Sequence, residues 1–159
     1  MRWHKIKPYL IGIAIPLAVG GLSALLSGGG KDFYQTVTLP PASPPAILFP
    51  IVWGILFLLM GISSVKVYLA RERDPMAARD GLVFYGISLF VNFFYSIFFF
   101  RFRLFLFSFL WLLLLLALIL FTIGKYARVS RGAARAQIPY AVWVTFAGYL
   151  TFAIYLLNK

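Results

Sequence analysis

The fold class that the sequence predicts is an all-α integral membrane protein, a five-transmembrane-helix bundle with a proline-rich lid loop between its first two helices, forming a single membrane domain over residues 1–159. Three observations predict it. Nearly all of the 159-residue chain is taken up by blocks of mostly apolar residues, at about 9–27, 46–68, 81–100, 104–123 and 138–157. At ~1.5 Å rise per residue, each block is long enough to cross a hydrocarbon layer of ~30 Å as a helix. The connections between blocks are short and basic or rich in proline, and the run Trp111 to Phe121 lacks the two-residue alternation of a transmembrane barrel strand.

The first block follows a basic tail with Arg2, Lys5 and Lys7, and small residues stand near Gly21 and Ser23. That arrangement imitates a signal peptide, whose removal would leave four helices. The connection 28–45 then carries Gly28, Gly29 and Gly30, the aromatics Phe33 and Tyr34, and Pro40, Pro41, Pro44 and Pro45. Prolines fix φ and remove donors, so the segment is expected to be stiff and partly extended. A loop of this length in a compact protein is more often a lid or binding loop than a tether.

In the second helix Trp53, Phe57, Met60 and Gly61 fall on one face, and Gly54 and Gly61 offer close packing. The connection that follows, Arg71-Glu72-Arg73-Asp74-Pro75, reads as a solvated mixed-charge turn. In the third helix Tyr85, Ser88, Asn92, Tyr95, Ser96 and Phe99 recur at steps of three and four and so share a stripe. Asn92 lies near mid-membrane, where its amide needs a partner from another helix, from water or from a ligand. Only Arg101 to Arg103 separate the third helix from the fourth, which predicts a tight antiparallel hairpin. The fourth helix is almost wholly Leu, Ile and Phe and is assigned to lipid and subunit contact. In the fifth, Tyr140, Trp143, Ala147 and Thr151 form another stripe. Three aromatic stripes beneath a proline-rich lid point to a shared pocket. On these boundaries Trp53 lies ~10 Å below the lid while Trp143 is about a turn and a half from the opposite end, so either the pocket is deep or the fifth helix is longer than the apolar block.

Charge supplies topology. Of the Lys and Arg residues, Arg2, Lys5, Lys7, Lys66, Arg71, Arg73, Arg79, Lys125, Arg128, Arg131 and Arg135 fall on one side, and Lys31, Arg101, Arg103 and Lys159 on the other. The positive-inside rule then puts the N-terminus in the cytoplasm and the C-terminus outside, with a bacterial cell membrane the expected location. The net charge of +11 is accounted for by this placement, and no soluble domain remains to carry nucleic acid. The acidic residues, Asp32, Glu72, Asp74 and Asp80, all lie outside the apolar blocks, which argues against a proton-coupled pump. Without cysteine there is no thiol nucleophile or thiolate metal site, and the single histidine, His4, sits in the basic tail, so no metal ligand set is visible.

The residues also carry a resemblance. Phe33-Tyr34-x-x-Val37-x-Leu39-Pro40-x-Ala42-x-Pro44-Pro45, continued by Phe49-Pro50-x-x-Trp53-x-x-Leu56-Phe57-x-x-Met60-Gly61, resembles W-Y-x-x-L-x-K-P-x-W-x-P-P and V-F-x-x-V-W-x-x-L-Y-x-x-M-G of the translocator protein family, also called the tryptophan-rich sensory protein or peripheral benzodiazepine receptor family. Tyr85-x-x-Ser88-Leu89-x-x-Asn92-x-x-Tyr95-Ser96-x-x-Phe99 is similar to its third-helix pattern, with the aromatic pair one residue off or shared with Phe98. Pro139-Tyr140-x-x-Trp143-x-x-Phe146-Ala147-x-x-Leu150, ending in Leu157-Asn158, is similar to its fifth. The matches run from Phe33 to Asn158, and because the family has a helix ahead of the loop, the resemblance implies that the first segment is retained. The chain departs from the pattern at Phe33, Ala42, Ile47 and Tyr95, where tryptophan is common, and at Leu39, Ser88 and Thr151, where lysine, glutamine and asparagine are.

The resemblance implies a pocket for porphyrins, sterols and synthetic isoquinoline or benzodiazepine ligands, closed by the first connection. Some bacterial members are linked to light-dependent porphyrin breakdown through tryptophan radicals, for which Trp53 and Trp143 would be the residues here. A flat, mostly apolar ligand gains affinity by stacking on aromatic faces and burying area at roughly 25 cal/mol per Å². The expected binding residues are Phe49, Trp53, Phe57, Asn92, Phe99, Trp143 and Ala147 from the helices, with Tyr34, Pro44 and Pro45 from the lid, and with Lys31 and Tyr34 near any propionates. Leu150, Tyr155 and Lys159 satisfy the permissive cholesterol motif.

Three function classes follow. The first is a receptor or transporter-like protein for tetrapyrroles, porphyrin or haem-related, needing no cofactor. The second is a photo-oxidative porphyrin-degrading enzyme. The third is a membrane scaffold or stress regulator acting as a homodimer.

Overall fold

The computed structural model describes residues 2–27, 35–45 and 47–159, the Arg2 side chain excepted. Five long helices make up the described chain: α1 (Arg2–Leu26), α2 (Leu48–Leu69), α3 (Pro75–Ser96), α4 (Phe105–Val129) and α5 (Arg131–Asn158). Each is long and apolar enough to cross a membrane, and no strand occurs among the described residues. The protein is an all-α integral membrane protein, as the apolar blocks predict.

The helices close into a ring. α1 packs on α2, α2 on α5, α5 on α4, α4 on α3, and α3 returns to α1. The inner faces of α2, α3 and α5 therefore converge, which is the arrangement the three stripes require. Tyr85, Ser88, Asn92 and Tyr95 of α3 and Phe99 just beyond it are all buried, as are Phe57, Met60 and Gly61 of α2 and Tyr140, Ala147 and Thr151 of α5.

Helix ends differ from the apolar blocks because polar residues continue helices past the hydrocarbon. α4 runs to Val129 and α5 starts at Arg131, so Ser130 alone turns the chain where the apolar pattern left a connection of more than a dozen residues. Ser130 has extended φ and ψ, and its hydroxyl accepts a hydrogen bond from the Ala133 N–H at 3.2 Å, capping α5. α3 likewise starts early. Asp74 accepts from the Ala77 N–H at 3.1 Å and Pro75 occupies the first turn, where its missing donor costs nothing. A short 3₁₀ turn, Arg71–Arg73, is all that separates α2 from this cap. At the other end α3 passes into a π turn, Ile97–Arg101, before the hairpin to α4.

Close approach of helices is set by small residues. A Cβ at Gly61 would lie 2.7 Å from the Gly12 carbonyl oxygen and 2.7 Å from the Ile13 Cα, so α1 and α2 cross backbone to backbone. A Cβ at Gly54 would meet nothing within 4 Å among the described residues, and Gly54 plays no such part. Ser23 of α1 donates to the Phe93 carbonyl of α3 at 2.7 Å, and the Trp111 indole of α4 donates to the Val91 carbonyl of α3 at 2.6 Å.

α4 turns much of its surface outward, with Leu106, Phe107, Leu110, Leu113, Leu114, Leu120 and Phe121 exposed. It is nevertheless a wall of the bundle. Ser108, Leu112, Leu115, Ile119, Thr122 and Tyr126 form a buried stripe at helical spacing against α3 and α5, which composition alone concealed because both faces are apolar.

Candidate functional site

Residues four apart on α2 turn Phe49 and Trp53 toward α5, while Phe57, a further turn on, packs its ring against Gly20 of α1. Trp53 stacks on Phe57 with ring centroids 5.5 Å apart, and meets Tyr140 of α5 edge-on at 6.1 Å. Phe49 meets Trp143 of α5 edge-on at 5.6 Å, and Trp143 lies 5.4 Å from Phe146. The two tryptophans thus sit at successive levels of the same α2–α5 seam. The depth mismatch disappears because α5 is longer than its apolar block: Trp143 lies ~18 Å from the start of the helix.

α3 supplies the third side. The Asn92 amide donates to the Tyr140 hydroxyl at 2.7 Å, with both side chains buried. Among the partners open to Asn92, an interhelical one is therefore realised. A turn further along, Tyr95 and Thr151 share a hydroxyl hydrogen bond at 2.8 Å, and Thr151 donates to the Ala147 carbonyl at 2.7 Å. Phe99 stacks on Tyr95 at 5.6 Å with an interplanar angle of 12°. Ala147 is buried between the levels of Trp143 and Thr151 and keeps the wall of α5 thin there.

One polar atom in this seam stands out. The Trp143 Nε1 is buried and has no hydrogen-bond partner among the described residues, although an indole N–H buried without one costs about 1–3 kcal/mol.

The lid's expected residues divide. Tyr34, with Phe33 and Lys31, lies outside the described residues. Pro44 is half-buried, while Pro45 is exposed and its carbonyl accepts from the Leu48 N–H at 3.0 Å, so it starts α2 instead of facing the seam. The described lid is held by side chains from α5 and from the hairpin before α4. Asn158 accepts from the Thr38 N–H and donates to the Thr38 carbonyl, each at 2.9 Å, as a neighbouring strand would. Tyr149 donates to the Pro41 carbonyl at 3.1 Å, and Arg103 donates to the Thr36 hydroxyl at 2.6 Å.

Tyr140 belongs with the expected site residues, since it links Trp53 to Asn92; its place on the α5 stripe was the available signal. Asn158, Tyr149 and Arg103 had no periodic signal. At the more basic end of the bundle a separate polar layer appears, with Gln137 donating to the Ser63 hydroxyl at 2.7 Å and the Ser64 and Tyr126 hydroxyls 2.8 Å apart. The sterol-motif residues do not share an outward face: Leu150 is buried in the bundle, Tyr155 is half-buried beside Phe152, and Lys159 is exposed.

Comparison with known proteins gives the family. Residues 12–157 match the model of the TspO/MBR family. The chain is 36% identical over 147 residues to the tryptophan-rich protein TspO of Chlorobaculum tepidum, covering 92% of each chain. It is 33% identical over 140 residues to protein CrtK of Rhodobacter capsulatus, covering 87% of this chain and 85% of that one. With the translocator protein of Bos taurus it shares 26% identity over 151 residues, 94% of this chain and 89% of the other. The aromatic seam, the helix order and these matches agree that the chain belongs to the TspO/MBR family.

Proposed function

We propose that this chain is a receptor of transporter-like type that binds a tetrapyrrole, porphyrin or haem-related, or another large apolar ligand, between α2, α3 and α5 beneath the 35–45 segment. The observation that carries this reading is the seam of Phe49, Trp53, Tyr140 and Trp143, in which the buried Trp143 N–H has no partner among the described residues. Aromatic faces suit a flat macrocycle, and a carboxylate or carbonyl on it would satisfy the orphaned donor. The names of the relatives, tryptophan-rich protein and translocator protein, are consistent with an aromatic site and with transport. Porphyrin titration of the detergent-solubilised protein is expected to quench tryptophan fluorescence saturably. Trp143→Phe keeps the ring but removes the donor and should weaken binding about tenfold. Linear, unsaturable quenching in both proteins would overturn the reading.

A second reading, photo-oxidative breakdown of the ligand, is favoured by the Trp53–Tyr140 ring contact, since two oxidisable rings in contact can share a radical. It requires a new absorbing product on illumination that Trp53→Phe abolishes; protein-independent bleaching would dismiss it.

For orientation, we place the end bearing Arg73, Lys125 and Arg131 in the cytoplasm, because it holds most of the cations. The chain has no cysteine, so a single cysteine introduced at Lys159 or at Arg73 reports sidedness cleanly. An impermeant thiol reagent on intact cells should label the former alone, and labelling only the latter would invert the topology.

A further inference from the structure

We propose that the cleft between the start of α3 and the end of α4 is a binding site for one anionic phospholipid. The cleft holds about 500 Å³ and is lined by Arg79, Asp80, Val83 and Phe84 of α3 and Lys125 of α4. It is layered. Val83 and Phe84 follow Arg79 and Asp80 by one helical turn, ~5.4 Å deeper toward the middle of the bundle. On α4, Phe121 stands one turn deeper than Lys125 and stacks on Phe84 with centroids 5.5 Å apart. Both helices thus present charge at the membrane edge and an aromatic floor below it.

The back of the cleft is closed and its mouth opens sideways. A Cβ at Gly81 would come within 2.7 Å of the Tyr126 ring, so α3 and α4 touch immediately behind the charged layer. Val83 and Phe121 are 54% and 59% exposed in a span that crosses the membrane, and their exposed surface therefore faces hydrocarbon. A soluble anion would leave that floor unused, whereas an acyl chain would cover it.

The charged layer fits a phosphodiester. Asp80 stands 3.4 Å from Arg79 and 3.8 Å from Lys125, holding two cations on either side of one carboxylate with a residual charge of one. Both separations exceed the ~2.7–2.9 Å of a strong charge-assisted hydrogen bond, so Arg79 and Lys125 keep donor capacity for a second anion. Asp80 thereby positions the cations and also opposes the phosphate. This opposition gives the site a signature that a diffuse basic surface lacks.

The test is native mass spectrometry of the full chain in detergent, titrated in turn with phosphatidylglycerol, phosphatidylcholine and soluble glycerol 1-phosphate. One phosphatidylglycerol is expected to be retained in preference to phosphatidylcholine. Arg79→Gln and Lys125→Gln should each weaken it about fivefold, the effect of one cation near a membrane surface. Val83→Trp, which fills the floor without changing charge, should weaken it too. Asp80→Asn should tighten it, a direction that misfolding cannot produce. Arg135→Gln, an exposed cation outside the cleft, serves as the control and should change nothing. Equal retention of the two lipids, or an Arg135→Gln effect as large as that of Arg79→Gln, would overturn the site. Glycerol 1-phosphate binding as tightly as the lipid would reduce it to a headgroup anion site and overturn the lipid assignment.

Discussion

Asn92 and Tyr140 show how a single polar pair behaves where neither water nor lipid can replace a lost partner. Each is almost fully buried, and the 2.7 Å bond joins α3 to α5 at the level of Trp53. Removing one partner strands the other, at a cost of about 1–3 kcal/mol, whereas removing both costs much less. Asn92→Leu and Tyr140→Phe are therefore each expected to lower thermal stability in detergent, while the double substitution recovers most of the loss. Hydrogen bonds between membrane helices average ~0.6 kcal/mol in such cycles, and complete burial should put this pair above that average, at ~1–2 kcal/mol. A cycle whose coupling is indistinguishable from zero would mean that the hydroxyl finds another partner, such as the hydroxyl of Ser88, one turn from Asn92 on α3. Asn92 was legible as a residue in need of a partner because an amide in an apolar run is conspicuous. Which partner it takes was not legible, since helix, water and ligand offer the same donors and acceptors to a one-dimensional pattern.

At the scale of the element, two glycines of α2 separate packing from propensity. Gly61 faces Gly12 across α1 with no room for a methyl group, and the obstructing atoms are backbone, which cannot swing aside. Gly61→Ala should destabilise the bundle by about 1–3 kcal/mol through overpacking. Gly54→Ala meets open space and should gain up to ~1 kcal/mol of helix propensity instead. Opposite shifts in melting temperature for the same chemical change check the assignment, and equal shifts would show that the α1–α2 crossing yields. The sequence offered both glycines as packing sites because periodicity cannot tell a glycine facing a helix from one facing lipid. Other elements show the same division. The apolar blocks located each span but not its ends, because Asp74 and Ser130 cap helices whose last turns are polar. The third helix ends in a feature of the same kind. The π turn Ile97–Arg101, marked by the Phe102 N–H bonding the Ile97 carbonyl at 3.1 Å, widens the last turn before the hairpin. No composition signal precedes that turn in the run Phe98-Phe99-Phe100.

At the scale of the whole molecule, the segment 35–45 is tied to the last helix. Asn158 makes two hydrogen bonds to Thr38 and a third to the Ile154 carbonyl at 2.9 Å, which orients its amide for the other two. Tyr149 adds the bond to the Pro41 carbonyl. These contacts are exposed to solvent, so each contributes only about 0.5–1.5 kcal/mol and none is central to the bundle. Their loss should therefore open the lid while leaving the helices folded. Asn158→Ala is expected to leave the melting temperature within a few degrees of the parent and to accelerate amide exchange across residues 37–39 about tenfold, the effect of losing ~1.4 kcal/mol of local protection. Tyr149→Phe, which removes one bond and no bulk, should accelerate it about threefold, on the same scale. If the seam is the ligand site, the same variants should release a bound porphyrin faster by similar factors with little change in association rate, because a lid that opens more often mainly shortens residence. Exchange mass spectrometry and stopped-flow fluorescence separate the two consequences. Faster lid exchange without faster release would keep the latch and move the ligand elsewhere, and unchanged exchange with a large fall in melting temperature would make Asn158 a fold residue and remove the latch altogether.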